Sequence, residues 1–292
     1  MKYFLYWGCS LEASGANYLA SLEPVCKALG MEFEEIEDWN CCGASISYVG
    51  ANDLAIKVLN ARNLALAEAK GKHDIIAPCS SCYIQMNKVN HEIQTNPDLA
   101  KKVNQALSEG GLSYKGTIKV RHLQDVLFND VGLAKIKAKV KKPLKGLKVG
   151  GYVGCQSVRP YGEYDSVERP TVQDDILRAL GAEPVVFPKK MRCCGSGIFL
   201  SEMDLCLGLV KNIIEDALGH GAQLISSVCP MCAMNLELYQ DRINKKFGTD
   251  FDVPVVYLTQ LMAVAFGMDM KAGAALEYNT IPPEYVIKAA LG

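Results

Sequence analysis

Apolar residues in this chain come in short runs separated by longer stretches of helical spacing. In the first half the runs fall at residues 2–7, 32–36, 73–77 and 117–121, with helical patterns near 15–29, 51–70, 82–108 and 122–130. The second half repeats the order. Its runs lie near 147–153, 184–187, 222–228 and 254–257, its helices near 168–181, 202–219, 230–247 and 258–266. Short apolar runs read as buried strands, and their regular alternation with helices predicts parallel β–α units in each half. The expected fold is α/β: two tandem, pseudo-symmetric parallel α/β domains, residues 1–146 and 147–292. In open parallel sheets ligand-binding groups gather beyond the carboxyl ends of the strands.

Cysteines fall at those places. Of twelve, ten form two sets of five with one grammar: C-x31-CC-x36-C-x2-C from Cys9 to Cys82, and C-x37-CC-x34-C-x2-C from Cys155 to Cys232. Each vicinal pair is followed by glycine, Gly43 or Gly195, and equivalent cysteines lie 146, 152 and 150 residues apart. The flanks repeat too: KYFLYWGC before Cys9 matches KVGGYVGC before Cys155, and HDIIAPCSSC matches AQLISSVCPMC. A period that covers nearly the whole chain marks a duplicated domain. The junction, residues 131–147, carries Lys135, Lys137, Lys139, Lys141, Lys142 and Lys145 ahead of Lys148. It reads as a solvated helix and linker ended by Pro143, or alternatively as a docking surface for an acidic partner.

Composition narrows the chemistry. Formal net charge is −1, without the basic excess of a nucleic-acid binder, and an apolar fraction of 49% excludes intrinsic disorder. The N-terminus has one lysine and a short apolar run, which is no signal peptide, and no stretch is long enough to span a membrane. A cytoplasmic protein is expected. A disulfide framework suits small secreted domains, and the vicinal pairs Cys41-Cys42 and Cys193-Cys194 do not suit disulfide geometry.

Thiolate ligation of metal therefore leads. Each C-x2-C stands where a strand should meet a helix, whose free N–H groups and positive dipole end favour thiolate. Zinc takes four ligands, and five equivalent cysteines with an adjacent pair exceed that; soft ligands in this number suit a multi-iron cluster. The four histidines have no equivalents between halves, and His91 and His122 read as ordinary surface or interface residues. Cys26 and Cys206 read as core cysteines. A thioredoxin-like dithiol would explain two cysteines of each five. Gly150, Gly151 and Gly154 lack the dinucleotide-binding spacing.

Two copies of C-x(n)-CCG-x(n)-C-x2-C resemble the CCG-domain family, and the length with nothing appended resembles the B subunits of heterodisulfide reductases from methanogenic archaea and related anaerobes. The resemblance implies two noncubane [4Fe-4S] clusters. Cys9, Cys41, Cys42, Cys79 and Cys82 would hold one; Cys155, Cys193, Cys194, Cys229 and Cys232 would hold the other. It further implies reduction of the mixed disulfide of coenzyme M and coenzyme B. Electrons would come from an iron–sulfur partner, the reductase's C subunit, fed in turn by its flavin-carrying A subunit, with a hydrogenase or formate dehydrogenase upstream. The family's other members include iron–sulfur subunits of lactate, glycolate and fumarate oxidoreductases, so an electron-relay role is the alternative. The x34 interval is slightly shorter than the family pattern, which leaves local geometry around the second set open. A substrate with anionic ends needs cations, and the second half alone supplies them: Lys189, Lys190 and Arg192 before the vicinal pair, and Arg159 after Cys155. Their counterparts in the first half include Glu37 and Asp38. The competing account is divergence of two solvated loops.

Overall fold

Each half is built on a four-stranded, wholly parallel sheet. In the computed structural model, which describes residues 1–47, 49–71 and 73–291, the first sheet holds β1 (Lys2–Leu5), β2 (Glu32–Glu35), β3 (Ile75–Ala77) and β4 (Val120–His122). The second holds β5 (Lys148–Tyr152), β6 (Glu183–Val185), β7 (Leu224–Ser227) and β8 (Val255–Tyr257). The strand orders are β2-β1-β3-β4 and β6-β5-β7-β8, two copies of one topology. Every strand lies on a predicted run to within a residue. The inner strands β1 and β3 are apolar and buried, whereas the edge strand β2, Glu-Phe-Glu-Glu, is half exposed. That is the burial expected when helices cover both faces of a parallel sheet.

Several predicted helices break where local chemistry forbids continuation. The pattern at 82–108 becomes Ser80–Thr95 and Pro97–Ser108, because the residue before a proline is driven out of the helical region. Asn96 has φ −130° there, and its side chain accepts from the Leu99 N–H at 3.1 Å, capping the second helix. The pattern at 230–247 divides into Pro230–Leu238 and Gln240–Phe247. The one at 122–130 starts as Leu123–Asp125 and widens into a π-helical turn over Val126–Val131.

A pseudo-two-fold axis relates the halves, and aromatic pairs mark it. Tyr18 stacks on Tyr257 with centroids 4.3 Å apart, and Tyr164 stacks on His122 at 5.8 Å. Tyr18 and Tyr164 both lie nine residues after the first cysteine of their set, while His122 and Tyr257 end β4 and β8. Ser21 Oγ and Thr259 Oγ1 meet at 2.7 Å between helices Ala16–Ala28 and Leu258–Ala265. The linker packs on the second half, with the Lys141 and Lys142 N–H groups donating to the Ala265 carbonyl at 2.8 and 2.9 Å. The lysines from Lys135 to Lys148, on the helix Leu133–Lys139 and the linker after it, are exposed, and none forms an ion pair among the described residues.

Candidate metal centre

In both sheets the chain reverses its lateral direction between the first strand and the third, so a crevice opens at the carboxyl ends of β1 and β3, and of β5 and β7. The cysteines stand around it. Cys9 follows β1, Cys41 and Cys42 follow β2, and Cys79 caps the helix Ser80–Thr95 directly after β3. Cys155, the pair Cys193-Cys194 and Cys229, which caps Pro230–Leu238, repeat the placement.

Each five is in mutual contact. Cys9 and Cys41 sulfurs lie 3.6 Å apart and Cys42 and Cys82 3.3 Å; in the second half Cys194 and Cys232 lie 3.4 Å apart, and Cys155 hydrogen-bonds Cys193. The two sets also meet, with Cys79 and Cys229 Sγ atoms 3.9 Å apart across the interface. These are contacts, not disulfides, whose S–S length is about 2.05 Å. Among the described residues no three Cys, His, Asp or Glu side chains are placed to hold a single metal ion. A donor set made only of thiols, spread over several ångströms around each crevice, fits a polynuclear iron–sulfur cluster better than a mononuclear site.

Local chemistry favours thiolate at particular positions. Hydrogen bonds from Cys42 and Cys9, and then from the Gly43 N–H at 3.4 Å, hold the Cys41 thiol far below the ordinary range. Its equivalent Cys193 is brought down to about 6, first by its bond from Cys155 and then by the Gly195 N–H at 3.3 Å. Cys229 is lowered by bonds from Cys232 and Cys79.

Glycines and tyrosines of the repeat shape both crevices. Gly8 and Gly154, with φ +68° and +72°, turn the chain just before Cys9 and Cys155. A Cβ on Gly8 would lie 3.1 Å from Cys82 Sγ, and one on Gly154 would lie 3.5 Å from Cys232 Sγ. Only glycine takes this backbone without strain, and at Gly8 it also admits a sulfur closer than an ordinary contact. Three residues before each first cysteine, Tyr6 donates to the Asn40 carbonyl at 2.7 Å and Tyr152 to the Arg192 carbonyl at 2.6 Å. Burial, and then the neighbouring thiols, push both phenols far up, so both remain donors. They pin the residue that precedes each vicinal pair.

Above the second set opens a cavity of about 410 Å³, lined by Cys155, Cys193 and Cys232 and, from the first half, by Ser80, Ile84 and Lys88. Both halves therefore wall it. Ser80 is held by a directed chain of bonds. The Gln124 N–H donates to His122 Nδ1 at 3.3 Å, which leaves Nε2 as the protonated nitrogen, donating to Ser80 Oγ at 3.2 Å. Ser80 then donates to Ser157 Oγ (2.7 Å), and Ser157 to the Val153 carbonyl (2.7 Å). His122, fully buried, is lowered to about 4 by that burial and stays neutral at pH 7.

The expected cations separate. Arg159 lines this cavity, although its Nε also donates to the Val167 carbonyl at 3.2 Å. Arg192 is exposed beside Cys193 in sequence. The Lys189 N–H donates to the Asp216 carboxylate at 2.7 Å. Lys190 is buried, its ammonium 2.7 Å from Asp174, and it lines a different cavity. The reason is its place in the 3₁₀ turn Pro188–Met191, which aims it at the helix Val172–Ala179 and away from the solvent.

Two segments, residues 3–87 and 149–237, match the family model described as "Cysteine-rich domain" (CCG). The chain belongs to the CCG family. It is 34% identical over 282 residues, 96% of this chain and 97% of the other, to a protein of Wolinella succinogenes named 8-methylmenaquinol:fumarate reductase membrane anchor subunit. It is 33% identical over its whole length, and over 98% of the relative, to a protein of Archaeoglobus profundus named as like the B subunit of heterodisulfide reductase. The B subunit of a ferredoxin/F(420)H(2)-dependent CoB-CoM heterodisulfide reductase of Methanosarcina acetivorans is 29% identical over 91% of this chain and 89% of its own. A hypothetical protein of Helicobacter pylori shares the fold, with TM-score 0.75 at 15% identity over 96% of this chain and 52% of that one. No helix among the described residues is long and apolar enough to cross a membrane.

Sequence reasoning missed some residues around the two CCG sites. Tyr6 and Tyr152 were visible in the repeat, as the tyrosine shared by KYFLYWGC and KVGGYVGC. Asn60 and Asn235 were not: their amides donate to the Cys42 and Cys194 carbonyls at 2.8 and 3.1 Å, but they come from non-equivalent helices. Cys206, buried as expected, also packs against the turn of the second CCG site and donates to the Cys194 carbonyl at 3.5 Å. Lys88 joins the cavity only through the docking of the halves.

Proposed function

We propose that the chain is the disulfide-reducing iron–sulfur component of a multi-subunit oxidoreductase. Its two domains, residues 1–146 and 147–292, would each hold one noncubane [4Fe-4S] cluster. Cys9, Cys41, Cys42, Cys79 and Cys82 hold the first; Cys155, Cys193, Cys194, Cys229 and Cys232 hold the second. The substrate is the mixed disulfide of coenzyme M and coenzyme B, and the electrons come from a separate iron–sulfur partner. The observation that carries this reading is the 3.9 Å approach of Cys79 to Cys229, which sets the two five-thiol sites face to face beside a cavity walled by both halves.

Cleavage of R–S–S–R′ to RSH and R′SH takes two electrons and two protons. When bound, the clusters supply those electrons one at a time, which explains two sites on one substrate. The chain's own residues bind and orient. Arg159 and Lys88 offer cations to an anionic end of the substrate, Arg192 stands exposed next to the second vicinal pair, and Ile84 and Val153 exclude water. No protein thiol needs to attack, in contrast to exchange through a mixed disulfide.

One observation favours a second reading, an electron relay in an organic-acid oxidoreductase: the relative matched over 97% of its length that is named as part of a fumarate reductase. Anaerobically purified protein, assayed for iron, sulfide and reduction of the heterodisulfide by a reduced viologen, tests both. Iron-replete protein with turnover is the expected result. Iron-replete protein without turnover moves the chain to the relay class, and colourless protein carrying zinc ends the cluster assignment.

A further inference from the structure

We propose that a second cavity, lined by none of the cysteines, binds a small apolar acid and presents it to Lys190. This cavity holds about 480 Å³ and shares no lining residue with the one over Cys155 and Cys193. Val186, Pro188 and Met191 form its apolar wall, and Val186 is 65% exposed there although it is a large hydrophobic residue.

The floor carries charge with unused capacity. Lys190 is 5% exposed, and its ammonium donates to Asp174 Oδ2 at 2.7 Å and to the Pro170 carbonyl at 3.2 Å. An ammonium has three protons, and the third has no partner among the described residues. Asp174 Oδ1 likewise has none, and it packs so tightly on β5 that a Cβ on Gly151 would lie 2.8 Å away. Burying an ion pair is costly, and well-packed apolar residues of similar volume are often as stable or more so. A glycine kept in the sheet to admit this pair, with one ammonium proton left open on a cavity, is the geometry of a binding floor. At the mouth stands Arg169, whose guanidinium has no partner among the described residues. A carboxylate can take the spare Lys190 proton and the Arg169 guanidinium, while an apolar body lies along Val186, Pro188 and Met191.

The same residue ties this cavity to the second CCG site. The Lys190 carbonyl accepts from the Val153 and Gly154 N–H groups at 3.1 and 3.0 Å, directly before Cys155, and Lys190 lies three residues before Cys193. An occupant that fixes Lys190 therefore braces both loops of that site. This inference does not depend on the substrate proposed above.

Calorimetric titration of the intact, anaerobically purified protein with 2-naphthoate tests it. One site per chain is expected, with binding weakened at least about tenfold in Val186→Asp and in Arg169→Glu. Both residues are exposed, so their variants keep the fold. The neutral alcohol 2-naphthalenemethanol should bind at least about tenfold more weakly than the acid, and Lys88→Glu, in the other cavity, should leave 2-naphthoate binding unchanged. Absence of saturable heat, indifference to both cavity variants, equal binding of acid and alcohol, or loss of binding in Lys88→Glu would each overturn the assignment.

Discussion

Replacing Gly8 by alanine tests how tightly the turn after β1 is fitted to the first CCG site. Two penalties act on it. The first is backbone strain: at φ +68° an L-residue is disfavoured by roughly 1–2 kcal/mol. The second is contact: the new Cβ would lie 3.1 Å from Cys82 Sγ and 3.2 Å from the Tyr6 ring, and overpacking in a close-fitted interior typically costs about 1–3 kcal/mol. Two other glycines separate these effects. Gly154, at φ +72°, would place its Cβ at an ordinary 3.5 Å from Cys232 Sγ, and Gly111, at φ +71°, would meet nothing within 4 Å. Gly111→Ala and Gly154→Ala should each lose about 1–2 kcal/mol, and Gly8→Ala about 2–5 kcal/mol. At this chain length each kcal/mol corresponds to about 2 °C in Tm. Iron and sulfide content gives the second readout. Gly111→Ala and Gly154→Ala should keep the iron of both sites, and Gly8→Ala should lose that of the first. Equal stability and equal iron in Gly8→Ala and Gly111→Ala would refute the argument, because the contact with Cys82 would then contribute nothing.

His122 gives a pH signature. Burial holds it at about 4 in the fold against 6.5 in the unfolded chain, so below pH 6.5 the unfolded chain takes up a proton that the fold refuses, and stability falls until pH 4. From pH 7 to pH 5 that residue alone should remove about 2 kcal/mol, and His122→Gln should lose this much less over the same interval by urea unfolding; identical slopes would disprove the buried neutral imidazole. If the cavity over Cys155 and Cys193 takes the proposed substrate, Arg159→Ala should raise KM about tenfold with cluster spectra unchanged, the loss of one charged contact. An unchanged KM would return Arg159 to a loop-bracing role through its bond to the Val167 carbonyl.

Much of this molecule was set by local sequence. The inner strands were legible as short apolar runs, the edge strand β2, Glu-Phe-Glu-Glu, only by its place in the strand–helix alternation, and the ten cysteines because duplication repeats their spacing. The places where helices stopped early were legible only in part. Pro97 announced its break, but nothing local announced the division at Tyr239 or the π-helical turn after Asp125, where packing overrides propensity. The cation asymmetry was visible as composition, yet its meaning was not. Lys190 and Arg192 are two residues apart, and one is buried on Asp174 while the other is exposed, because a 3₁₀ turn points neighbouring side chains in different directions. The facing of Cys79 and Cys229, the entry of Lys88 into a cavity over the other half's cysteines, and the chain from His122 to Ser157 lie further still from any local pattern. Each joins residues 70 or more positions apart or depends on such a join, and only the docking of the halves through Tyr18 on Tyr257 and Tyr164 on His122 brings them together. A chain's own periodicity fixes which residues a half can offer. The packing of one half on the other fixes which of them meet.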